Sequence, residues 1–188
     1  MTAEPIREKK QLLELAGYWL RKGNKRNYIL IVLGVCTALR VSDLLRLRWG
    51  DVFDFERGMF RSHIVITEKK TKKQKMIALN RQAVKALTLC LLERKGDFIF
   101  MSNRREDRAI SRQQAWRIVR SAAKAIGAAG RLSCHSLRKT AGYHAWKAGV
   151  SPVLLMAIYN HSSYEVTRRY LGITQQDMDA VYLRLALF

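Results

Sequence analysis

Apolar residues recur at helical spacing over most of this 188-residue chain, and this pattern predicts a mainly helical fold. The first helix is predicted to begin near Arg7, and the run 28–36, apolar nearly all round, predicts a helix buried in the core. After a bend at 37–41, Ser42 is predicted to cap a short helix. Further helices are predicted at 80–92, 111–126, 136–148, 151–159, 164–170 and 174–187.

Between residues 51 and 79 the hydrophobic pattern changes to short stretches that are rich in β-forming residues. The stretches 51–55, 59–67 and 75–79 are separated by an Arg-Gly pair and by a lysine-rich tip, which predicts a small three-stranded antiparallel sheet. The predicted fold class is therefore mainly α with one small sheet. No Gly/Ser-rich linker interrupts the chain, so residues 1–188 are expected to form a single domain.

The charge of the chain is strongly unbalanced. It has 35 Lys and Arg against 15 Asp and Glu, which gives a net charge of +20. This excess favours a polyanionic partner, of which nucleic acid is the commonest. A cationic surface with no specific ligand is the alternative.

Cysteine usage and hydropathy indicate the compartment. Cys36, Cys90 and Cys134 are odd in number and far apart, which favours buried thiols over a disulfide framework or a zinc site. The N-terminus shows no signal-peptide pattern, and the longest apolar run, 28–39, is too short to span a bilayer. We therefore expect a cytoplasmic protein with no membrane partner.

Basic residues and one tyrosine stand close together in the last third of the chain. His135, Arg138 and His161 precede Tyr170, which directly follows two arginines. A set of cations near one hydroxyl nucleophile suggests phosphoryl transfer on a phosphodiester, because fixed positive charge lowers that barrier most. The H-x-x-R spacing of His135 and Arg138 places both on one side of a helix. Taken alone, this pair fits equally well a helix N-terminus with a surface arginine.

Four separated motifs together resemble the tyrosine recombinase (phage integrase) family, in that family's order and spacing. They are TALRVSDLLRLRWGDV at 37–52, the lysine-rich hairpin, HSLRKTAGYHAW at 135–146, and NHSS followed by RRYLGI within 160–173. The resemblance covers residues 7 to about 183. It implies the catalytic-domain fold of these DNA breaking and rejoining enzymes, and the function of a site-specific recombinase or integrase of the kind that serves mobile elements.

The resemblance implies a role for each matching residue. Arg40 is similar to the first family arginine, and Asp43 matches the acidic position that supports it. His135 and Arg138 match the family's H-x-x-R, and His161 matches its later His-or-Trp position. In such a site the cations would lower the pKa of a phenol, and His135 would accept or relay its proton.

Two further implied roles concern the nucleophile and the leaving group. Tyr170 is similar to the family's nucleophile, which attacks a DNA phosphate and leaves a 3′-phosphotyrosyl enzyme with a free 5′ hydroxyl; Tyr164 competes with it but lacks the R-R-Y-L context. Lys70 is similar to the hairpin lysine that protonates the leaving 5′ oxygen. Four neighbours crowd the same loop and remain alternatives for that role: Lys69, Lys72, Lys73 and Lys75.

The predicted helix at 111–126 carries a basic stripe that is a candidate DNA-reading surface. In the family a helix at this place lies in the major groove, and Arg and Gln side chains read base edges. The hairpin lysines Lys69, Lys72 and Lys73 would hold phosphates. A solvated amphipathic face is the alternative. The candidate residues of the helix are Arg112, Gln113, Arg117, Arg120 and Lys124.

The resemblance also implies partners and cofactors. The partner is double-stranded DNA, with self-assembly into a tetramer on two paired sites, and accessory DNA-bending proteins are compatible with it. Neither a metal nor a nucleotide cofactor is implied, because the phosphotyrosine conserves the phosphodiester energy, and the sequence has no H-E-x-x-H and no P-loop. Three alternatives stay open: a non-catalytic helix-turn-helix-like regulator built from 141–162, a type IB topoisomerase-like relaxing activity, and a degenerate recombinase that only binds DNA.

The chain departs from the family pattern in three places. Too few residues precede Arg40 to form the N-terminal helical domain of typical members, so we expect one catalytic domain without a separate core-binding domain. The chain is then either a natural single-domain recombinase or part of a longer chain. The usual L-G-H is Y-N-H at 159–161, and the usual T-G-L-R is T-A-L-R at 37–40. Neither change removes a charged group, so activity is expected to persist.

Overall fold

The computed structural model describes residues 3–103, 107–128 and 132–185. Within these residues helices dominate, and four short strands lie between the fourth and fifth helices. The helices are α1 (Lys9–Arg21), α2 (Lys25–Cys36), α3 (Val41–Leu44), α4 (Trp49–Val52), α5 (Arg81–Leu91), α6 (Arg112–Ala125), α7 (Cys134–Lys147), α8 (Pro152–Tyr159), α9 (Tyr164–Leu171) and α10 (Gln175–Tyr182). The strands are β1 (Phe53–Asp54), β2 (Met59–Phe60), β3 (His63–Thr67) and β4 (Gln74–Ala78). This composition confirms the predicted fold class.

The chain divides into two compact units, Met1–Ala141 and Gly142–Phe188. The boundary falls inside α7, so the first half of this helix belongs to one unit and the second half to the other. That residues 1–188 act as a single catalytic domain stays a prediction.

The core of the first unit is built around α2. This helix is apolar on nearly every side, and Ile29, Leu30, Ile31 and Leu33 are all buried. It packs against α1 and α5 and also contacts α6. Burial of every face matches the prediction for the run 28–36, because a helix surrounded by other helices has no side left for water.

The strands form two separate antiparallel pairs, so the prediction of one three-stranded sheet is wrong. In the first pair Phe53 lies opposite Phe60, and in the second, longer pair His63 lies opposite Ala78. The predicted middle stretch, 59–67, is thus divided between β2 and β3, and the predicted strand at 51–55 begins later because α4 precedes it. The second pair is a hairpin whose tip carries the lysine run.

Several predicted helix bounds differ from the structure. Helix α2 begins at Lys25 rather than at 28, and α7 begins at Cys134 rather than at 136. Helix α10 ends at Tyr182, and residues 186–187 of its predicted range lie outside the described residues.

The first helix begins at Lys9, with Glu8 at its N-cap, rather than near Arg7. Ser42 does not cap α3, because the chain is already extended at Arg40, which takes the N-cap position, and the helix begins at Val41. Ser42 therefore lies inside the first turn.

Three predicted helices, those at 80–92, 111–126 and 151–159, are capped at their predicted first residue. The side chains of Asn80, Ser111 and Ser151 each accept a hydrogen bond from a backbone N–H in the first turn of α5, α6 and α8 respectively. In the second unit α8 ends at Asn160, which adopts the left-handed conformation with φ 53°. The next residue, His161, donates its backbone N–H to the carbonyl of Met156, which closes the helix end.

Candidate active site

Four of the six predicted catalytic residues lie in the first unit and line one cavity. Its volume is about 770 Å³, and it opens between the bend at 38–40, the hairpin tip and the start of α7. Four arginines, two lysines and one histidine line this cavity. Such a cationic cavity can hold a phosphodiester, since each group contributes donors to the non-bridging oxygens. The predicted residues that line it are Arg40, Lys69, Lys70, Arg112, His135 and Arg138.

Arg40 is held by a carboxylate from the hairpin. Its Nη1 donates to Oε1 of Glu68 at 2.7 Å. Glu68 is fully buried, and its Oε2 accepts a 2.6 Å hydrogen bond from the hydroxyl of Thr71. Because both carboxylate oxygens are engaged, Glu68 fixes the plane in which the Arg40 guanidinium lies.

Asp43, the predicted support of Arg40, makes a different contact. Its Oδ1 accepts a 2.9 Å hydrogen bond from the backbone N–H of Lys69, and Arg46 is 4.0 Å away. Asp43 is only 2% exposed, and its Oδ2 has no hydrogen-bond partner within the described part of the chain. Asp43 therefore anchors the hairpin tip, while the ion pair with Arg40 belongs to Glu68.

Arg138 reaches the same bend from α7. It is 2% exposed, and its Nη1 donates to the backbone carbonyl of Ala38. The start of α7 approaches α2 closely because residue 34 is glycine; a Cβ there would lie 2.8 Å from Cδ1 of Leu137. Arg138 is thus positioned from both ends, by its helix and by the bend that also carries Arg40.

His135 and Cys134 at the start of α7 have shifted pKa values. His135 is exposed but lies in a concave surface, and burial, followed by the charges of Lys139, Arg138 and Arg40, lowers its pKa. The imidazole is therefore mostly neutral near pH 7 and can accept a proton. Burial raises the pKa of Cys134 to about 11, which keeps it a protonated thiol, as predicted, and not a nucleophile.

The hairpin lysines occupy two environments. Lys69, Lys70, Lys72 and Lys73 are exposed at the tip. Lys75, on β4, is half-buried, and burial followed by the charge of Arg138 lowers its pKa to about 8. Lys70 therefore stays the predicted leaving-group acid at the cavity, and Lys75 differs chemically from the other four.

Tyr170 and His161, the other two predicted catalytic residues, lie together in the second unit. Tyr170 is 9% exposed, and its ring centroid is 4.8 Å from those of both His161 and Tyr159. His161 is held through Nδ1, which lies 3.0 Å from the hydroxyl oxygen of Thr167. Its role is thus more than capping α8, since its side chain packs against the predicted nucleophile.

A glycine allows this aromatic cluster to form. A Cβ at Gly142 would lie 2.6 Å from the Tyr159 hydroxyl oxygen and 2.9 Å from a methyl carbon of Leu171. Only the absence of a side chain at this position lets Tyr159 pack against α7 and reach Tyr170. The competing tyrosine, Tyr164, is exposed at the start of α9.

The predicted DNA-reading helix, α6, has the expected two faces. Ala115, Ile118 and Ala122 are buried, and the indole Nε1 of Trp19 in α1 donates to the carbonyl of Ile118. The predicted basic and amide residues lie on the other faces of the helix. Arg120 is half-buried, and the rest are exposed: Arg112, Gln113, Arg117 and Lys124.

Sequence reasoning missed Glu68 and undervalued Lys75. Glu68 directly follows β3 and continues the inward row of Ile64 and Ile66. Lys75 lies in β4, two residues before Ile77 in the inward row of that strand. This period-2 placement was the available signal, because a charged residue in the apolar row of a strand must point toward the core. The surrounding lysine run concealed it.

The described residues contain neither a metal-binding cluster nor a membrane-spanning helix. No group of three or more His, Cys, Asp or Glu side chains comes together there as metal ligands would. None of the helices described is long and apolar enough to cross a bilayer.

The chain is similar to known proteins in sequence. The model of the phage integrase family matches residues 7–177. The probable integrase/recombinase YoeC of Bacillus subtilis is 36% identical over 179 residues, which cover 95% of this chain and 94% of that protein. The tyrosine recombinase XerD of Mycobacterium leprae is 28% identical, and the match covers 84% of this chain and 51% of XerD. This chain therefore spans nearly all of YoeC but about half of XerD.

The fold is also similar to solved structures. The crystal structure of XerA recombinase matches with a TM-score of 0.77 and 21% identity, covering 100% of this chain and 65% of that one. The XerH site-specific recombinase bound to palindromic difH substrate matches with a TM-score of 0.75 and 20% identity. This match covers 97% of this chain and 54% of the XerH chain.

Proposed function

Because the chain belongs to the phage integrase family, we propose that it cleaves and rejoins DNA at specific sites through a 3′-phosphotyrosyl intermediate. The match to the family model and the similarity to YoeC confirm the family and the recombinase function that the four sequence motifs predict. The observation that carries the residue-level mechanism is the single cavity lined by Arg40, Lys70, His135 and Arg138.

The two arginines bind and polarise the scissile phosphate. Each is anchored before any substrate arrives, Arg40 by Glu68 and Arg138 by the carbonyl of Ala38. Preorganised cations stabilise the charge that develops on the non-bridging oxygens without having to reorient during the reaction. Guanidinium groups suit this because they stay charged at any working pH and bond two oxygens at once.

Tyr170 supplies the nucleophile and His135 receives its proton. The phenol oxygen attacks phosphorus, the bond to the 5′ oxygen breaks, and the departing 5′ oxygen takes a proton from Lys70. His135 suits the first proton transfer, since its lowered pKa keeps the imidazole neutral. Rejoining reverses each step, so the phosphotyrosine retains the bond energy and no nucleotide is consumed.

Double-stranded DNA is the proposed partner, and the charge of +20 supports it. The XerH relative was solved with difH substrate. Strand exchange between two duplexes would assemble four copies of the chain, with accessory DNA-bending proteins as further participants. A protein acting on DNA in this way is proposed to work in the cytoplasm, as a single catalytic domain.

The decisive experiment uses a pool of nicked duplexes with randomised sequence. When cleavage occurs next to the nick, the short 5′-hydroxyl fragment diffuses away and rejoining is prevented, so the covalent complex accumulates. We expect a protein–DNA band on a denaturing gel for the wild type and for Tyr164→Phe, and its loss in Tyr170→Phe. A band retained by Tyr170→Phe, or no band from the wild type, overturns the proposal.

The recovered DNA then separates the alternative functions. Recombination between two copies of the recovered sequence supports a recombinase, whereas relaxation of any plasmid without exchange supports topoisomerase-like activity. The helix-turn-helix regulator is disfavoured by α8, its second helix, whose exposed residues include the apolar Val153, Leu154 and Ile158. A recognition helix needs polar or basic side chains at these positions.

A further inference from the structure

Lys75 occupies a place in the hairpin that normally belongs to an apolar residue. On β4 the exposed Gln74, Met76 and Ala78 alternate with the more buried Lys75 and Ile77. The strand register places Lys75 opposite Ile66 and Ile77 opposite the fully buried Ile64. Since cross-strand partners share one face of a hairpin, the Lys75 side chain points inward with these isoleucines.

A lysine on an inward face is rarely tolerated unless nearby charges compensate it. Four charged groups act on Lys75, and each comes from an element that surrounds the cavity: Arg40 and Asp43 from the bend and α3, Glu68 from the hairpin, and Arg138 from α7. Two of these groups are buried carboxylates and two are guanidinium groups.

The net charge of this cluster depends on the protonation of Lys75. With a neutral Lys75 amine, the charges of Arg40 and Arg138 are cancelled by those of Asp43 and Glu68. With a protonated amine, the cluster carries one net positive charge, which matches one phosphodiester anion. The other cations that line the cavity, such as Lys69 and Lys70, are exposed, so water and salt screen them more strongly.

We infer that Lys75 is a positioning residue that gives the cluster of Arg40, Asp43, Glu68 and Arg138 its net positive charge, and thereby prepares the two arginines for the scissile phosphate. This inference rests on the proposed function and adds to it a second hairpin lysine, distinct from the leaving-group acid. Burial and the charge of Arg138 lower the pKa of Lys75 to about 8, while Glu68 opposes the shift. The charge of the cluster is therefore lost when the pH rises through about 8.

The test compares Lys75→Arg, which keeps a permanent charge, with Lys75→Met, which keeps length but no charge. The rate of covalent complex formation on the randomised nicked pool is measured from pH 6.5 to 9.5 at subsaturating DNA, where it reports the free enzyme. The ratio of the wild-type rate to the Lys75→Arg rate cancels titrations common to both. We expect this ratio to be constant up to about pH 7.5 and then to fall, by at most about tenfold per pH unit above the pKa, until the wild type is slowed as much as Lys75→Met.

At pH 7 the rate of covalent complex formation by Lys75→Met should be lower than that of the wild type by about tenfold or more. The ratio of the Lys75→Met rate to the Lys75→Arg rate should not fall near pH 8. The exposed Lys85→Met on α5 is the matched control and should retain the wild-type profile. A rate ratio that is flat to pH 9.5 while the wild type cleaves overturns the inference about Lys75 alone. Absence of any covalent complex from the wild type overturns the proposed function as well.

A second measurement does not depend on cleavage. Lysine-selective ¹³Cε NMR of the wild type follows each ammonium group, and the resonance missing from Lys75→Arg identifies Lys75. We expect it to titrate near pH 8 in the free protein and at higher pH with the randomised duplex bound, because the phosphate favours the charged form. Titration above pH 10 in the free protein contradicts the inference.

Discussion

The Arg40 guanidinium is paired with Glu68, 28 residues further along the chain, at 2.7 Å. Glu68 is fully buried, while the Arg40 side chain remains partly accessible. One face of the guanidinium group is therefore fixed by protein and another is available to the cavity. This arrangement couples the hairpin to the bend, so the hairpin helps to position the first arginine.

Replacing Glu68 with Gln keeps the shape of the side chain but removes its charge. We expect the free energy of unfolding to fall by about 1–3 kcal/mol, because a buried charge-assisted hydrogen bond is weakened. Covalent complex formation should slow as well, since Arg40 loses its fixed orientation. Urea denaturation and the nicked-duplex assay measure the two effects.

The exposed pair of Arg48 and Asp97, with a 3.0 Å separation, provides the control for this change. Asp97→Asn should alter the free energy of unfolding by less than about 1 kcal/mol, because water screens an exposed pair. Equal losses from Glu68→Gln and Asp97→Asn would show that burial does not strengthen the Arg40 pair.

Ala38 adopts the left-handed conformation, with φ 50°, at the position where the family usually has glycine. This conformation costs an L-residue about 1–2 kcal/mol, part of which is offset because alanine restricts the unfolded chain more than glycine does. Ala38 is also buried, so the loss of its methyl group offsets much of the remaining gain. Ala38→Gly should therefore change the free energy of unfolding by less than about 1 kcal/mol. The backbone carbonyl that Arg138 uses is retained.

Ala122→Gly, in the buried interior of α6, is the matched substitution in a helical conformation. It should lower the free energy of unfolding by about 1 kcal/mol or more, because glycine disfavours a helix and a buried methyl group is lost. A loss of stability from Ala38→Gly as large as that from Ala122→Gly would contradict the strain at the bend.

The Y-N-H departure has a parallel explanation. Asn160 lies in the left-handed region with φ 53°, which asparagine tolerates better than most residues with a side chain. Glycine and asparagine are thus physically equivalent solutions for ending α8 before His161. The two departures from the family pattern therefore lie at positive-φ turns and leave the cationic residues in place.

Most helices and the motif residues were predictable because their signals are local. Ser111 and Ser151 cap helices through hydrogen bonds within a few residues, and the apolar spacing of α6 alone defines its buried face. Glu68 and Lys75 were not predictable in the same way, because their roles depend on strand register and on charges contributed by distant residues. The start of α3 was also misjudged, since the bend that precedes it is shaped by the Arg138 contact with Ala38.

The exposed basic residues of α6 are predicted to contact DNA. Arg117 and Lys124 are exposed, and each would neutralise one phosphate or reach a base edge. Changing either to Ala should lower the slope of log affinity against log salt concentration by about 1 if it contacts phosphate. Fluorescence anisotropy with a random-sequence duplex at several salt concentrations measures this slope, and Lys85→Ala is the control. A slope that is the same in all three variants and the wild type would exclude α6 from the phosphate contacts.

The lowered pKa of His135 predicts how stability depends on pH. Burial and the nearby cations disfavour the charged imidazole in the folded state, so between the folded pKa and the ordinary value of about 6.5 the unfolded chain binds more protons. Stability then rises with pH in this window and is lost as the pH falls through it. We expect the wild type to lose more stability than His135→Gln when urea denaturation is repeated at pH 5 instead of pH 7.5. The control is His63→Gln, at an exposed position of β3, which should lose as much free energy of unfolding as the wild type. If His135→Gln also loses as much as the wild type, the surroundings of His135 do not oppose its protonation.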